Sequence, residues 1–370
     1  MTHASGAPDL PAMIDWRLAI SIGSRLAGEG PAVTREEAAA VVAELRDGAE
    51  KSTALVREFT GLDAPAGTAP LLVVDRPGWV RANAEGFAVA TRPMIEKIAE
   101  KKAPTGLSLR VGSKVTAAEV GGLLGFLAGK VLGQFDPFYG IDGVEGAGGA
   151  HSAAGAGAAP YGRLLLVAPN IAHVERELDV DPHDFRLWVC LHEETHRVQF
   201  TAVPWMRDHL MSEIRAISET LEPASIIEGG VERILEAVRA GRAGGSIVDM
   251  FSTPEQREIL DRVTGMMSLL EGHADVVMDD VGPTVIPSVK DIRAKFTKRR
   301  QGVGTLDRVL RRLLGLEAKM AQYRDGATFV RGVVDKVGME QFNAVWAEPA
   351  NLPAKAELGD PDAWIARVLS

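Results

Sequence analysis

Cysteine is almost absent from this sequence of 370 residues, which contains a single copy, Cys190. One cysteine cannot close a disulfide bond within the chain, and it cannot build a cysteine-rich zinc finger. A basic surplus is also missing, because 41 lysine and arginine side chains stand against 50 acidic ones. Nucleic-acid affinity generally needs basic surface that displaces counterions, so we expect no nucleic-acid partner.

Long hydrophobic runs are missing as well. The most apolar stretch, residues 120–133, is interrupted by Lys130 and falls short of the roughly 20 residues that a membrane span needs. Residues 1–30 lack the basic segment and long apolar core of an export signal. These absences predict a cytoplasmic protein without membrane contact, and they leave its oligomeric state open.

The composition that remains is that of a folded globular protein, with 46% hydrophobic and 25% charged residues. The length suits one large domain, and we expect residues 13–370 to form it, as a single body or as two lobes that flank a site. Residues 1–12 are predicted to be a disordered tail. Residues 144–160, which are mostly Gly, Ala and Ser, are predicted to be a flexible loop.

Helix signals dominate the chain, while strand signals are few. Apolar periodicity, capping residues and first-turn prolines predict helices over residues 14–26, 34–59, 78–102, 116–133, 181–200, 205–222 and 253–283, with more in the C-terminal third. Short apolar runs predict strands at Leu71–Asp75 and Leu164–Ala168. The predicted fold class is therefore mainly α, an α+β fold with a small sheet.

One predicted helix carries an unusual row of glycines. Thr116 and Glu119 form a capping box that is expected to open this helix, and glycines follow at 121, 125, 129 and 133. Their four-residue spacing puts them on one helix face. A membrane helix pair could use such a face, but the favoured interpretation is a core helix of a soluble protein that packs very close to a neighbour.

The strongest motif lies in the middle of the helix predicted over 181–200. His192, Glu193 and His196 form the pattern H-E-x-x-H, for which a chain of this composition offers only about 0.01 chance matches. Residues four apart share a helix face, so both imidazoles can reach one metal ion. Glu193 can reach a water on that metal and act as general base. Glu194 points away and is expected to be solvated or structural, and Cys190 is expected to be a core thiol.

A catalytic zinc site needs a third protein ligand and an open position. Gln199 and Ala202 replace the glycine and histidine of the extended pattern H-E-x-x-H-x-x-G-x-x-H, so the third ligand must lie elsewhere. Glu271 is the favoured ligand, with Asp275 four residues later as a hydrogen-bond acceptor for a ligating histidine. His273 is the rival ligand, and it would face the opposite side of the same helix.

The chain resembles an actinobacterial family of zincin-like hydrolases associated with biosynthesis of the deazaflavin coenzyme. The resemblance covers residues 14–368 and rests on IDW at 14–16, RPGWV at 76–80, VLGQFD at 131–136, LLVAPN at 165–170, LHEETH at 191–196, LEGHAD at 270–275 and QYRDG at 322–326. It implies a zincin-like metallopeptidase fold and a zinc peptidase of gluzincin type. The substrate and the role in coenzyme biosynthesis stay open.

The motifs together predict a zinc-dependent hydrolase that cleaves peptide or amide bonds. His192, His196 and Glu271 are expected to hold Zn²⁺, with Glu193 as general base and Asp275 behind them. The alternative is a non-catalytic scaffold that keeps a zinc ion. The strand at Leu164–Ala168 is a candidate to pair with an extended substrate.

Weaker signals allow further roles. The basic run at residues 290–312 could hold an acidic substrate, although such a run is more often a solvated helix face. Tyr323, Arg300 and His209 could each stabilise an oxyanion, and for each a structural role is more common.

Overall fold

The protein is described by a computed structural model, which covers residues 13–65, 67, 69–101, 107–141, 161–220, 253–301 and 316–370. The predicted tail at 1–12 and the predicted loop at 144–160 lie outside these ranges. Within them, no helix is both long enough and apolar enough to cross a membrane.

Helices make up most of this part of the chain, so the predicted fold class is confirmed. They are α1 (Trp16–Leu26), α2 (Arg35–Thr60), α3 (Arg76–Lys101), α4 (Leu107–Ala128), α5 (Ala168–Leu178), α6 (Pro182–Ala202), α7 (Met206–Thr220), α8 (Pro254–Val285), α9 (Val289–Gln301), α10 (Leu316–Phe342, broken at Gly338) and α11 (Pro361–Val368). Short 3₁₀ turns at Asn343–Trp346, Pro349–Asn351 and Lys355–Gly359 connect the last two.

The strands form a three-stranded sheet in the order β1, β3, β2. The central strand β3 (Arg163–Val167) pairs in parallel with β1 (Leu71–Val74) and antiparallel with β2 (Gly133–Asp136). Both predicted strands are confirmed. The prediction that Leu164–Ala168 pairs with a substrate is wrong, because neighbouring strands already occupy both edges of β3.

Strand β3 separates two hydrophobic clusters. Side chains alternate between the two faces of a strand. Leu164 and Leu166 therefore join the main core of α2, α6, α8 and α10, whereas Leu165 and Val167 join a smaller cluster with α3 and α4. All five residues of β3 are buried, which explains its continuous apolar sequence.

The helices that carry the H-E-x-x-H motif and Glu271 begin as the capping signals predicted. Asp181 caps α6 by accepting a hydrogen bond from the Asp184 amide at 3.0 Å, and Pro182 occupies the first turn. Thr253 and Gln256 form the complete capping box of α8. The predicted end of α8 is too early, because the helix continues past Pro283 to Val285 and loses only the bond that a proline cannot donate.

Two predictions for the glycine-rich segment are wrong. Helix α4 begins at Leu107, so Thr116 lies inside it and does not cap it. Residues 107–115 contain no proline, and the helix runs through Gly112 and Ser113 without a break. Gly133 belongs to strand β2, and Gly129 lies in the turn between the two elements.

The remaining two glycines allow the predicted close packing. A Cβ atom on Gly121 would lie 2.6 Å from the carbonyl oxygen of Ala19, and one on Gly125 would lie 2.8 Å from that of Gly23. Both neighbours are backbone atoms of α1, so they cannot move aside as a flexible side chain would. The small residues therefore set the distance between α1 and α4.

Replacing Gly121 with alanine should lower the free energy of unfolding by about 1–3 kcal/mol, because the added methyl group overpacks the contact with α1. Gly122→Ala is the matched control, since no atom of a described neighbour lies within 4 Å of the position that its Cβ would take. This control should stabilise the protein by up to about 1 kcal/mol through helix propensity. Denaturant unfolding of both variants measures the difference. Equal stability of the two would contradict the packing argument.

Candidate metal centre

Helix α6 places His192 and His196 one turn apart on the same side. Their Nε2 atoms lie 3.3 Å from each other, and their rings meet edge to face. The His192 side chain is 26% exposed and that of His196 is 12% exposed. The pair therefore lies at the border between the core and solvent, where a small molecule can reach it.

Helix α8 brings Glu271 to the two histidines. Its Oε2 atom lies 3.7 Å from Nε2 of His192 and 3.7 Å from Nε2 of His196. In the part of the chain that the structure describes, these three side chains form the one cluster whose ligand atoms all lie within 4.8 Å of one another. The three ligands predicted from sequence are thus brought together from two helices.

The spacing and chemistry of these donors fit zinc. Bonds of about 2.0–2.2 Å to a tetrahedral zinc ion place neighbouring ligand atoms roughly 3.3–3.6 Å apart. The observed separations of 3.3, 3.7 and 3.7 Å agree with this to within a few tenths of an ångström. Two imidazoles and one carboxylate, with a side open to solvent, form the ligand set of a catalytic zinc site.

The position of α8 is set on its other side by a close crossing with α10. A Cβ atom on Gly326 would lie 1.9 Å from the carbonyl oxygen of Ser268, and one on Gly272 would lie 2.1 Å from the carbonyl carbon of Gly326. Only hydrogen fits at either position. Because Gly272 follows Glu271 directly, this crossing fixes the height and rotation of the segment that carries the carboxylate.

Gln199 connects the two helices behind the ligands. Its Nε2 lies 2.9 Å from the Leu270 carbonyl oxygen and 2.9 Å from Nδ1 of His273, while its Oε1 lies 2.9 Å from Nδ1 of His196. The side chain is completely buried. In the sequence, Gln199 is noticeable only as the residue that replaces the glycine of the extended pattern. Its position three residues after His196, on the same helix face, was the feature that could have indicated a contact with that histidine.

Glu193 lies beside the cluster in a tight space. Burial raises its pKa to about 8, and the charge of Glu271 adds to this while that of His196 opposes it, so all three lie close enough to interact. A Cβ atom on Gly133 of β2 would lie 2.5 Å from Cγ and 2.6 Å from Cδ of Glu193. Gly133 is therefore a site residue that the sequence did not reveal, because its contact depends on how β2 packs against α6.

The electrostatics of the pocket favour a cation. Burial by itself lowers the pKa of His196, but the negative charge of Glu271 and a hydrogen bond to it raise this pKa to about 9. Two carboxylates, Glu193 and Glu271, thus act on the same small buried space. A divalent ion at the three donors would compensate for their negative charge.

His273, the rival ligand, lies outside the cluster. It is fully buried, stacks on Phe342 with a centroid distance of 5.7 Å and meets Trp346 edge to face at 5.3 Å. Burial lowers its pKa to about 3, so the ring is neutral. Its Nδ1 faces Gln199, which makes it a structural histidine of the α8–α10 region.

Asp275 lies one turn after Glu271 on α8, as its spacing predicted. Its carboxylate is 37% exposed and lies 3.4 Å from a guanidinium nitrogen of Arg293 on α9. The outer nitrogen of His192 lies 3.2 Å from the sulfur of Met278, also on α8. A role for Asp275 behind a ligating histidine stays a prediction, and Met278 is a neighbour of the site that the sequence did not indicate.

Glu194 and Cys190 both face the core. Glu194 is fully buried, pairs with Arg197 at 2.8 Å and accepts a hydrogen bond from Thr53 at 3.0 Å. The structural interpretation of Glu194 is confirmed, and the solvated one is wrong because α2 covers it. Cys190 is fully buried against α2, where burial raises the pKa of its thiol, so the predicted core thiol is confirmed.

The weaker candidates whose side chains the structure describes do not join the cluster. His209 of α7 packs on Trp205, which lies just before that helix, with a centroid distance of 5.8 Å. In the basic run, Lys295 pairs with Asp291 and Arg299 with Glu177, in agreement with a structural, partly solvated helix face. The side chains of Arg300 and Tyr323, and residues 302–312 of the run, lie outside the described ranges.

Comparisons with known proteins show which family the chain resembles over nearly its whole length. A family model described as zincin-like metallopeptidase matches residues 14–365. A solved structure from Chloroflexus aurantiacus, described as a "putative hydrolase with a novel fold", is 31% identical in sequence with a TM-score of 0.68. The alignment covers 96% of this chain and 98% of that one. The comparison with curated proteins finds no match. Because the family model covers nearly the whole chain, the protein belongs to the zincin-like metallopeptidase family.

Proposed function

We propose that the protein is a zinc-dependent hydrolase, a metallopeptidase that cleaves peptide or amide bonds. The convergence of His192, His196 and Glu271, with Glu193 buried beside them, carries this proposal. A scaffold that keeps a structural metal needs no buried carboxylate next to an open coordination position. The family match and the C. aurantiacus hydrolase support the broader assignment.

His192, His196 and Glu271 would hold the metal, which when bound lowers the pKa of water towards about 7 and polarises a carbonyl oxygen. Glu193 accepts a proton from the attacking water and then donates it to the nitrogen of the leaving amine. Burial raises the pKa of Glu193, which strengthens it as a base while it is ionised and lets it keep the proton until transfer. Gly133 keeps the space beside this carboxylate narrow, so its orientation is restricted.

Strand β2 is the element along which we propose that an extended substrate lies. It borders Glu193 through Gly133, and in the described sheet it pairs with β3 on one side only. Main-chain hydrogen bonds to such a strand bind a peptide without regard to its side chains.

The metal ligands can be tested by zinc binding. Purified protein should carry about one zinc ion per chain, and His192→Ala and His196→Ala should each lose most of it because the site has only three protein ligands.

Glu271→Gln should weaken zinc binding far more than His273→Phe, since His273 lies outside the cluster. Asp275→Asn should have an intermediate effect of about 10–100-fold. Metal analysis after dialysis, with titration of zinc into the stripped protein, gives the ranking. Unchanged zinc content in both histidine variants would overturn the site.

Glu193→Gln separates an enzyme from a scaffold. The variant keeps the side-chain shape but cannot accept a proton, so hydrolysis should fall by about 10²–10⁴-fold while zinc content stays at the wild-type level. A peptide library read by mass spectrometry first identifies a cleaved sequence. Glu194→Gln is the control, because that carboxylate faces α2 and the variant should keep its activity per folded molecule. Equal cleavage rates for wild type and Glu193→Gln would show that another mechanism or a contaminant is responsible.

Gly133→Ala tests the narrow space beside the general base. A methyl group 2.5 Å from Cγ of Glu193 would have to displace the carboxylate. Such a displacement of roughly 1 Å should reduce hydrolysis by about 10²-fold and leave zinc affinity nearly unchanged. Gly129→Ala serves as the control, because no atom of a described neighbour lies within 4 Å of the added carbon. Activity of Gly133→Ala equal to that of the control would show that Glu193 has room to reorient.

A further inference from the structure

The amide of Gln199 can be oriented in only one way. The Leu270 carbonyl oxygen accepts hydrogen bonds and cannot donate one, so the amide atom 2.9 Å away must be the nitrogen. Its second hydrogen then points to Nδ1 of His273, also at 2.9 Å, which must accept it. The oxygen of the same amide is thereby directed at His196.

This orientation decides which nitrogen of His196 carries the proton. Gln199 Oε1 can only accept, so Nδ1 of His196 donates to it across 2.9 Å. The lone pair of a neutral His196 is then on Nε2. That atom lies 3.3 Å from Nε2 of His192 and 3.7 Å from Oε2 of Glu271, on the side where a metal would bind.

The same side chain also positions the third ligand. Leu270, whose carbonyl group receives the Gln199 amide, directly precedes Glu271 in α8. Gln199 is completely enclosed by protein and has no surface that water can reach. Water therefore cannot replace the hydrogen bonds of Gln199 when they are lost. This one amide joins α6 and α8 next to the two ligands His196 and Glu271.

We propose that Gln199 is the positioning residue of the metal centre. It holds His196 with Nδ1 protonated and Nε2 directed at the metal position, and it holds the α8 backbone next to Glu271. The inference rests on the proposed metal site for its effect on affinity, whereas the hydrogen bond to His196 is a contact of the chain itself. In many zinc sites a carboxylate or a backbone carbonyl accepts the hydrogen bond of a ligating histidine. Here a glutamine amide does so.

Two variants distinguish this role from ordinary helix packing. Gln199→Met keeps the length of the side chain but removes the acceptor for His196 and both donors. His273→Phe keeps the aromatic packing on Phe342 and leaves one Gln199 N–H without its acceptor, so it damages the same buried network without touching the bond to His196. Both variants should lose stability, and denaturant unfolding measures how much.

The first measurement uses the metal-free protein. A slowly exchanging Nδ1–H signal from His196, identified by nitrogen-15 NMR through its loss in His196→Gln and distinguished from Nε2–H by its ring couplings, should be present in wild type and His273→Phe. It should be missing in Gln199→Met. Its presence in Gln199→Met, or its absence in wild type, overturns the proposal even if the protein binds no metal.

The second measurement is a titration with Co²⁺, followed by its visible absorption. Gln199→Met should bind Co²⁺ about 10–100-fold more weakly than wild type, and His273→Phe within about threefold of it. Equal losses in the two variants would show that Gln199 only packs the helices, which overturns the proposal. Absence of Co²⁺ binding in wild type would instead overturn the proposed metal site, and the NMR measurement would still decide the hydrogen bond.

Gln199→Glu provides the test if Gln199→Met does not fold. It keeps an oxygen acceptor for His196 and loses the donor to Leu270. The NMR signal should persist, and Co²⁺ affinity should lie between those of wild type and Gln199→Met, because the hydrogen bond to the Leu270 carbonyl group is lost. Loss of the signal in a folded Gln199→Glu protein overturns the proposal.

Discussion

The distance between α6 and α8 is the constraint on which the site depends, because the candidate ligands come from both helices. Two contacts set it. On one side of α8, the backbone at Gly272 contacts that at Gly326 of α10 with no room for a side chain. Helix α8 therefore cannot move away from α10 without leaving a gap between the two helices. On the other side, the amide of Gln199 reaches the Leu270 carbonyl group. Helix α8 is thus fixed from both sides within one turn of Glu271. Its carboxylate oxygen lies 3.7 Å from the ligand nitrogens of α6, although all three ligands are in helices and none is in a flexible loop.

The polar cluster is unfavourable for the folded chain by itself. Burial raises the pKa of Glu193 to about 8, and the negative charge of Glu271 acts on it as well, so two carboxylates lie close together at the edge of the core. Packing alone would favour apolar residues here. Several titratable groups with shifted pKa values in one partly open site are typical of functional sites. Such groups lower the local stability of the fold but are needed for the reaction.

The sequence predicted the parts of the site that depend on helix periodicity. His192 and His196 share a face because they are four residues apart in one helix, and Glu271 and His273 must face opposite ways because they are two apart. Periodicity could not reveal Gly133 or Met278, since their contacts depend on how separate elements pack. The same limit explains two wrong predictions. Thr116 followed by Glu119 satisfies a capping pattern, but whether the helix starts there depends on the residues upstream. Glu194 is buried, and not solvated, only because α2 covers that side of α6.

Strand β2 connects the reactive carboxylate to the hydrophobic cluster on the other face of the sheet. Gly133 touches Glu193, while the next residue, Gln134, accepts a hydrogen bond from Trp79 and donates one to Asn83, both in α3. Trp79 belongs to the small cluster on the outer face of the sheet, together with residues of α4. Natural selection should therefore preserve Trp79, Asn83 and Gln134 as a unit. Natural variants of Trp79 or Asn83 would leave the metal content unchanged, and their effects would look catalytic although both residues belong to α3 and not to the site.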